Sequence, residues 1–175
     1  MTQAVLTTTI YDTYEPFVQG LIDHANNHHE WLWNTLNPGK ATYLRDCRTI
    51  GINLPRQMGK TRFLVSQFQK HPKSLMIVAN PAMRRDLIMT TLYNRGSAAP
   101  FELTDEECER ILIPNQVKEL INADNPERLA KMDLSSFTHT FIDDSSYFFS
   151  AVRIKKFYDF LASHVSETHL VITTG

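Results

Sequence analysis

Five short apolar runs, each separated from the next by a stretch with helical periodicity, constrain this chain more than any other feature. The runs are Cys47 to Asn53, Ser74 to Ala79, Glu109 to Pro114, Thr138 to Asp143 and Thr168 to Thr174. Each is too short for a buried helix and is bounded by turn-forming or polar residues, so each reads as a strand. The segments between them space apolar residues three and four apart. Phe63, Leu64 and Phe68 fall between Gly59 and Lys70; Met83, Leu87, Ile88 and Leu92 follow Asn80-Pro81; Ile154, Phe157, Phe160 and Leu161 share one helical face. Asn115 to Met132 predicts two short helices split around Asp124-Asn125-Pro126. Strands that alternate with helices predict a mostly parallel five-stranded sheet covered by helices on both faces, the α/β class.

Ahead of the first strand, Phe17, Leu21, Ala25, His29, Leu32 and Leu36 mark one amphipathic helix from about Tyr14 to Leu36, stopped by Asn37-Pro38-Gly39. The division expected is an N-terminal helical region over residues 1–46 and a core over residues 47–175, together one compact domain. Arg95 to Thr104 contains Gly96, Ser97 and Pro100 without periodicity and predicts a surface loop. Hydrophobic residues make up 42% of the chain, enough for a real core, and no run approaches the length needed to span a bilayer. The first residues lack a basic leader with an apolar follower, so a cytoplasmic protein is expected. Eighteen basic residues against 19 acidic ones argue against a chain whose main task is to coat nucleic acid, although a local basic patch remains open. Cys47 and Cys108 lie in different segments; they make neither a disulfide framework nor a four-ligand metal site and read as small buried hydrophobes.

Chemistry concentrates where the first strand runs into Leu54-Pro55-Arg56-Gln57-Met58-Gly59-Lys60-Thr61 and opens a helix. A turn poor in side chains before Lys60 lets backbone N–H groups and the helix N-terminus surround a phosphate. Lys60 then reaches the β- and γ-phosphates, and the Thr61 hydroxyl takes a position on Mg²⁺. The common phosphate-loop pattern wants glycine where this chain has Leu54. Further on, the fourth strand ends in Asp143-Asp144. Two carboxylates closing a buried strand call for a partner. Asp143 on Mg²⁺ and Asp144 beside the attacking water would supply one, while Asp-Ser-Ser is also good helix-capping chemistry. Arg56 within the loop fits either a cis arginine finger or an ordinary ion pair. Thr173 and Thr174 end the last strand, where hydroxyls would face a γ-phosphate or simply run out of sheet.

Other residues point less far. His24 and His28 share a helix face without a third ligand, and His29 belongs to the apolar stripe. Trp31 and Trp33 suit core or interface packing more than base stacking. Arg84-Arg85 and Lys155-Lys156 read as solvated helix faces unless they converge.

Taken together, these residues resemble a family. Pro55 to Thr61 is similar to the Walker A segment of the large terminase subunits of tailed bacteriophages. Phe141-Ile142-Asp143-Asp144-Ser145-Ser146-Tyr147-Phe148 resembles that family's Walker B, and Val171-Ile172-Thr173-Thr174 its coupling motif. The resemblance covers Gly51 to Gly175. It implies an additional-strand, RecA-like P-loop NTPase fold that binds and hydrolyses Mg²⁺-ATP. In it, residues Pro55, Arg56, Gln57, Met58, Gly59, Lys60 and Thr61 form the nucleotide loop. Arg56 acts as a cis arginine finger, Thr61 and Asp143 hold the metal, Lys60 and Asp144 serve catalysis, and Thr173 and Thr174 couple nucleotide state to DNA movement. It also implies a viral DNA-packaging context in a host cytoplasm, with a protein partner or self-assembly supplying most of the grip on DNA. This chain departs from the pattern at Asp144, one methylene shorter than the usual Glu, where a misplacement of about 1 Å costs about 100-fold in rate. Gln19 is the candidate for the family's adenine-reading glutamine. No carboxylate-rich nuclease region follows the coupling motif, so nuclease activity is not expected. The alternative is a nucleotide-binding, non-hydrolysing regulatory or decoy module acting through a protein partner.

Overall fold

In the computed structural model, which describes residues 10–53, 59–93, 103–123 and 126–175, the five apolar runs form one sheet. Its strands are β1 (Thr49–Ile52), β2 (Ser74–Ile77), β3 (Ile111–Leu112), β4 (His139–Ile142) and β5 (Leu170–Thr174). They stand in the order β1-β5-β4-β2-β3, and every pairing is parallel. The interior strands β2, β4 and β5 are buried at each position, as a sheet covered on both faces requires. β1, at the edge, leaves Gly51 exposed. The helices are α1 (Ile10–Asn27), α2 (His29–Leu36), α3 (Lys40–Cys47), α4 (Lys60–Lys70), α5 (Pro81–Tyr93), α6 (Asp105–Glu109), α7 (Pro114–Ile121), α8 (Pro126–Met132), α9 (Ser145–Ala151) and α10 (Ile154–His164).

The period-two alternation of the strands divides the core into two layers. On one face, Leu75, Ile77, Ile142 and Val171 pack with Leu44 of α3, Val117 of α7, Phe148 of α9 and Phe157 of α10. On the other, Ile50, Met76, Phe141 and Ile172 pack with Val18 of α1 and Phe63, Leu64 and Phe68 of α4. Each fully buried Leu or Phe contributes about 1.5–3 kcal/mol. Tertiary burial of this kind, more than helix propensity, holds the short helices in place. Among the described residues, no helix is long and apolar enough to cross a membrane.

The N-terminal region departs from expectation. The single helix predicted from Tyr14 to Leu36 is two, broken at His28, and α3 follows where no element was expected. The buried ridge of α1 is also turned by one residue. Val18 is 1% exposed and Ile22 5%, whereas Phe17 is 65% exposed and Leu36, in α2, 55%. Val18 and Ile22 lie four apart beside the Phe17–Leu21 pair, and packing on α4 selects the β-branched ridge. The predicted loop from Arg95 falls, up to residue 102, outside the described residues; Leu103 is buried and Thr104 caps α6. There the Thr104 hydroxyl accepts from the Glu107 amide and the Glu107 carboxylate accepts from the Thr104 amide. That capping box, Thr-x-x-Glu, was the available sequence signal for this helix.

Candidate functional site

Because all five strands run in one direction, their carboxyl ends share one edge. There α4 leaves β1 for one face of the sheet, while α9 leaves β4 for the other. Where connections diverge in this way, an open α/β sheet usually has its ligand crevice.

Gly59 caps α4 with φ 75°, in the left-handed region that side chains other than glycine rarely adopt. A Cβ there would meet nothing within 4 Å, so the backbone angle, and not crowding, favours glycine. The turn delivers Lys60 and Thr61 to the crevice on the first turn of α4. The Thr61 hydroxyl donates to Asp143 Oδ2 at 2.6 Å, and the Thr174 hydroxyl donates to Asp143 Oδ1 at 3.0 Å. Asp143 is only 4% exposed, and a buried carboxylate without such donors would be costly. Its backbone N–H meanwhile extends the ladder by donating to the Ile77 carbonyl at 2.8 Å. Lys60 Nζ donates to the Gly175 carbonyl at 2.5 Å, just past β5.

Asp144 behaves differently from its neighbour. Its backbone is left-handed (φ 58°), its side chain is exposed, and its Oδ1 accepts the Tyr147 amide at 3.1 Å as the N-cap of α9. The Asp144 amide donates to the Thr174 hydroxyl at 3.4 Å. The capping role that Asp-Ser-Ser allowed is therefore taken by Asp144, while Asp143 joins Thr61. Thr174 enters this network; Thr173, on the opposite side of β5 beside Gly51, does not. Leu54, Pro55, Arg56, Gln57 and Met58 lie outside the described residues.

A hydroxyl and a carboxylate this close make an oxygen pair suited to Mg²⁺, which commonly uses one or two carboxylates together with phosphate oxygens. Among the described residues no group of three or more His, Cys, Asp or Glu side chains gathers to hold a metal by itself. The His24 and His28 rings lie tilted by 34° with centroids 4.2 Å apart, and His28 Nδ1 donates to the His24 carbonyl at 2.9 Å. His29 bonds the Tyr43 hydroxyl at 2.8 Å instead of simply packing, and Trp33 meets Tyr43 edge-on at 4.9 Å. Trp31 is 62% exposed. Gln19 donates to Asp23 of its own helix at 2.9 Å. Arg84 does not lie on a solvated face. It is half-buried, donating to the Ile111 carbonyl at 2.6 Å and the Cys108 carbonyl at 3.0 Å. Lys155 pairs with Asp159 on the surface of α10. Cys47 and Cys108 are half-buried, and burial raises both thiol pKa values.

The opposite ends of β1, β5 and β4 hold buried polar residues that carry no local sequence signal. Arg48, 1% exposed, donates to the Ala25 carbonyl at 2.7 Å, to Asn26 Oδ1 at 2.8 Å and to the Thr168 and His169 carbonyls. It thereby ties the last turn of α1 to the start of β5, where a cation also suits the helix dipole. His169 is fully buried between the Phe137 carbonyl and the Thr140 hydroxyl, each at 2.9 Å. Its pKa is pushed down to about 4, chiefly by burial. His139 stacks on Phe141 and faces His71 at 4.0 Å; burial first, then His71, His169 and Arg48, lower its pKa to about 3.

No protein family, curated protein or solved structure matches the chain.

Proposed function

We propose that the chain is a terminase-like ATPase domain that binds Mg²⁺-ATP between the carboxyl ends of β1, β5 and β4. The observation that carries this reading is the Thr61–Asp143–Thr174 hydrogen-bond network, assembled from three distant segments beside Lys60 and a left-handed Gly59. The strand order supports it, because β5 lies between the strand that enters the Gly-Lys-Thr turn and the strand that ends in Asp143. An additional strand in that position is what the resemblance to phage large terminase subunits leads one to expect. On binding, Lys60 exchanges the Gly175 carbonyl for phosphate oxygens, and the N–H groups opening α4 face the same anion. Thr61 and Asp143 would hold the Mg²⁺, which neutralises phosphate charge when bound. Arg56 is proposed as the cis arginine finger and Thr174 as the link between bound nucleotide and β5.

One observation favours a second reading, nucleotide binding without hydrolysis in a regulatory module that acts through a protein partner. The Asp144 carboxylate is already engaged by the Tyr147 amide, and a carboxylate spent on capping α9 is poorly placed to orient water. Calorimetry and steady-state phosphate release separate the readings. Wild type binds Mg²⁺-ATP, and Lys60→Ala and Asp143→Ala each weaken binding at least about tenfold. Asp144→Glu, which caps poorly but reaches further, raises turnover if Asp144 is the limiting group. Binding with no phosphate release in wild type or in Asp144→Glu selects the second reading, and absence of nucleotide binding in wild type removes both.

A further inference from the structure

A cavity of about 620 Å³ opens at the amino ends of β2, β3 and β4, the edge of the sheet opposite the Lys60 crevice. That volume lies within the roughly 300–1,000 Å³ of small-molecule sites. Topology builds it. The turns that enter the three parallel strands meet there, with Lys73 before β2, Arg110 before β3 and Phe137 before β4.

Arg110 is the informative residue. It is 7% exposed, its guanidinium lies 4.9 Å over the Phe68 ring, and its Nη1 donates to the Ser74 carbonyl at 2.8 Å. Its Nε is buried without a hydrogen-bond partner. Among the described residues, no carboxylate forms an ion pair with it. Burial depresses its pKa, with Glu106 and Glu107 opposing from α6. A buried cation with a donor to spare costs free energy unless something anionic answers it. Beside it, Arg84 is fixed by the Ile111 and Cys108 carbonyls, contacts that leave part of its guanidinium fork unused. The floor is therefore cationic. The exposed rim has the opposite balance, with Glu106, Glu109, Glu127 and Asp133 outnumbering Lys73 and Lys131.

We propose that this cavity binds a small zwitterion, its carboxylate or phosphate seated on Arg110 and Arg84 and its ammonium held at the Glu106–Glu109 rim. A cationic floor under an acidic rim discriminates against simple anions, which the rim repels, and against simple cations, which the floor repels. The site is separate from the nucleotide crevice and does not depend on it.

Calorimetry on the full chain tests this with lysine and phosphoethanolamine as the two zwitterion probes, which separate a carboxylate from a phosphate head. Acetate and inorganic phosphate, which carry only negative charge, and cadaverine, which carries only positive charge, serve as controls. At least one zwitterion binds about tenfold or more tightly than any control. Arg110→Lys, which keeps the charge but loses the fork, weakens that binding by about tenfold. The exposed double variant Glu106→Gln/Glu109→Gln weakens zwitterion binding several-fold without weakening acetate or phosphate. It preserves falsifiability should Arg110→Lys fail to fold. Lys60→Ala leaves the affinity unchanged, so failure here and failure of the nucleotide reading are distinguishable. No zwitterion binding up to about 10 mM, or binding indifferent to both variants, overturns the proposal.

Discussion

At the amino ends of β1, β5 and β4, Arg48, His169 and Thr140 are sealed from solvent, and backbone carbonyls or neighbouring side chains satisfy them. At the carboxyl ends of the same strands, Asp143 is buried, but Lys60 and Thr61 are half-buried and Asp144 is exposed. Lys60 there donates to a carbonyl that a phosphate can replace. One sheet thus carries two polar edges made to different ends. The amino edge locks helix α1 to β5, while the carboxyl edge leaves Lys60 and Thr61 partly open to solvent and Asp144 exposed. Function in a parallel sheet is sought not wherever polar residues gather, but where their contacts are exchangeable.

The largest expected effect breaks the amino edge with acid. In the folded chain His169 titrates at about 4 and His139 at about 3, against an ordinary 6.5. Between those values the unfolded chain binds protons that the folded chain refuses. Stability is therefore fully present above pH 6.5 and falls as the pH drops towards 4. Each histidine costs about 1.4 kcal/mol per pH unit, on the order of 4 kcal/mol for the pair by pH 5. Urea unfolding from pH 7 to 5 checks this; a flat profile contradicts the sealed edge. Next in size, Arg48→Met strips the donors from the Ala25, Thr168 and His169 carbonyls and loses about 3 kcal/mol. A loss under about 1 kcal/mol would make the edge dispensable.

At the carboxyl edge the loss of stability is smaller and nucleotide binding weakens with it. Thr174→Val removes one donor to Asp143 and the acceptor of the Asp144 amide, and costs about 1–2 kcal/mol along with weaker nucleotide binding. The smallest effect is expected of Asp144→Asn. Asparagine caps a helix as well as aspartate and tolerates the left-handed backbone, so stability changes by less than about 0.5 kcal/mol. Phosphate release in that variant then reports on the carboxylate alone. Lost turnover marks Asp144 as a group that acts on water, and unchanged turnover marks it as a cap.

The five strands were legible because continuous apolar runs of that length have few other uses, and α4, α5 and α10 because their periodicity is strong. Gly59, Lys60, Thr61, Asp143 and Thr174 stood out as polar or glycine residues at the ends of such runs. Their meeting in space follows from the parallel order of the sheet, which no local pattern states. Short helices are harder to read: α3, α6 and α9 are too brief to show a period, and only α6 and α9 carry a side-chain cap, Thr104 and Asp144, as a signal. The register of α1 differs from the apolar spacing because Phe17 and Val18 are neighbours and only packing decides which is buried. Arg48 was invisible for a related reason. A lone arginine before a strand looks like any surface cation until α1 folds over it. Thr173 and Thr174 looked equivalent, yet the two-residue period of a strand sends them to opposite faces.

On the proposed reading the carboxyl edge, and not the amino edge, takes the nucleotide. Amide hydrogen exchange of the wild-type chain with and without Mg²⁺-ATP measures this directly. Nucleotide-dependent slowing is expected at Gly59 to Thr61, Asp143 to Tyr147 and Thr174, with Arg110, Ser136 and His169 unchanged. Slowing confined to the amino edge, or none anywhere at saturating nucleotide, would contradict it.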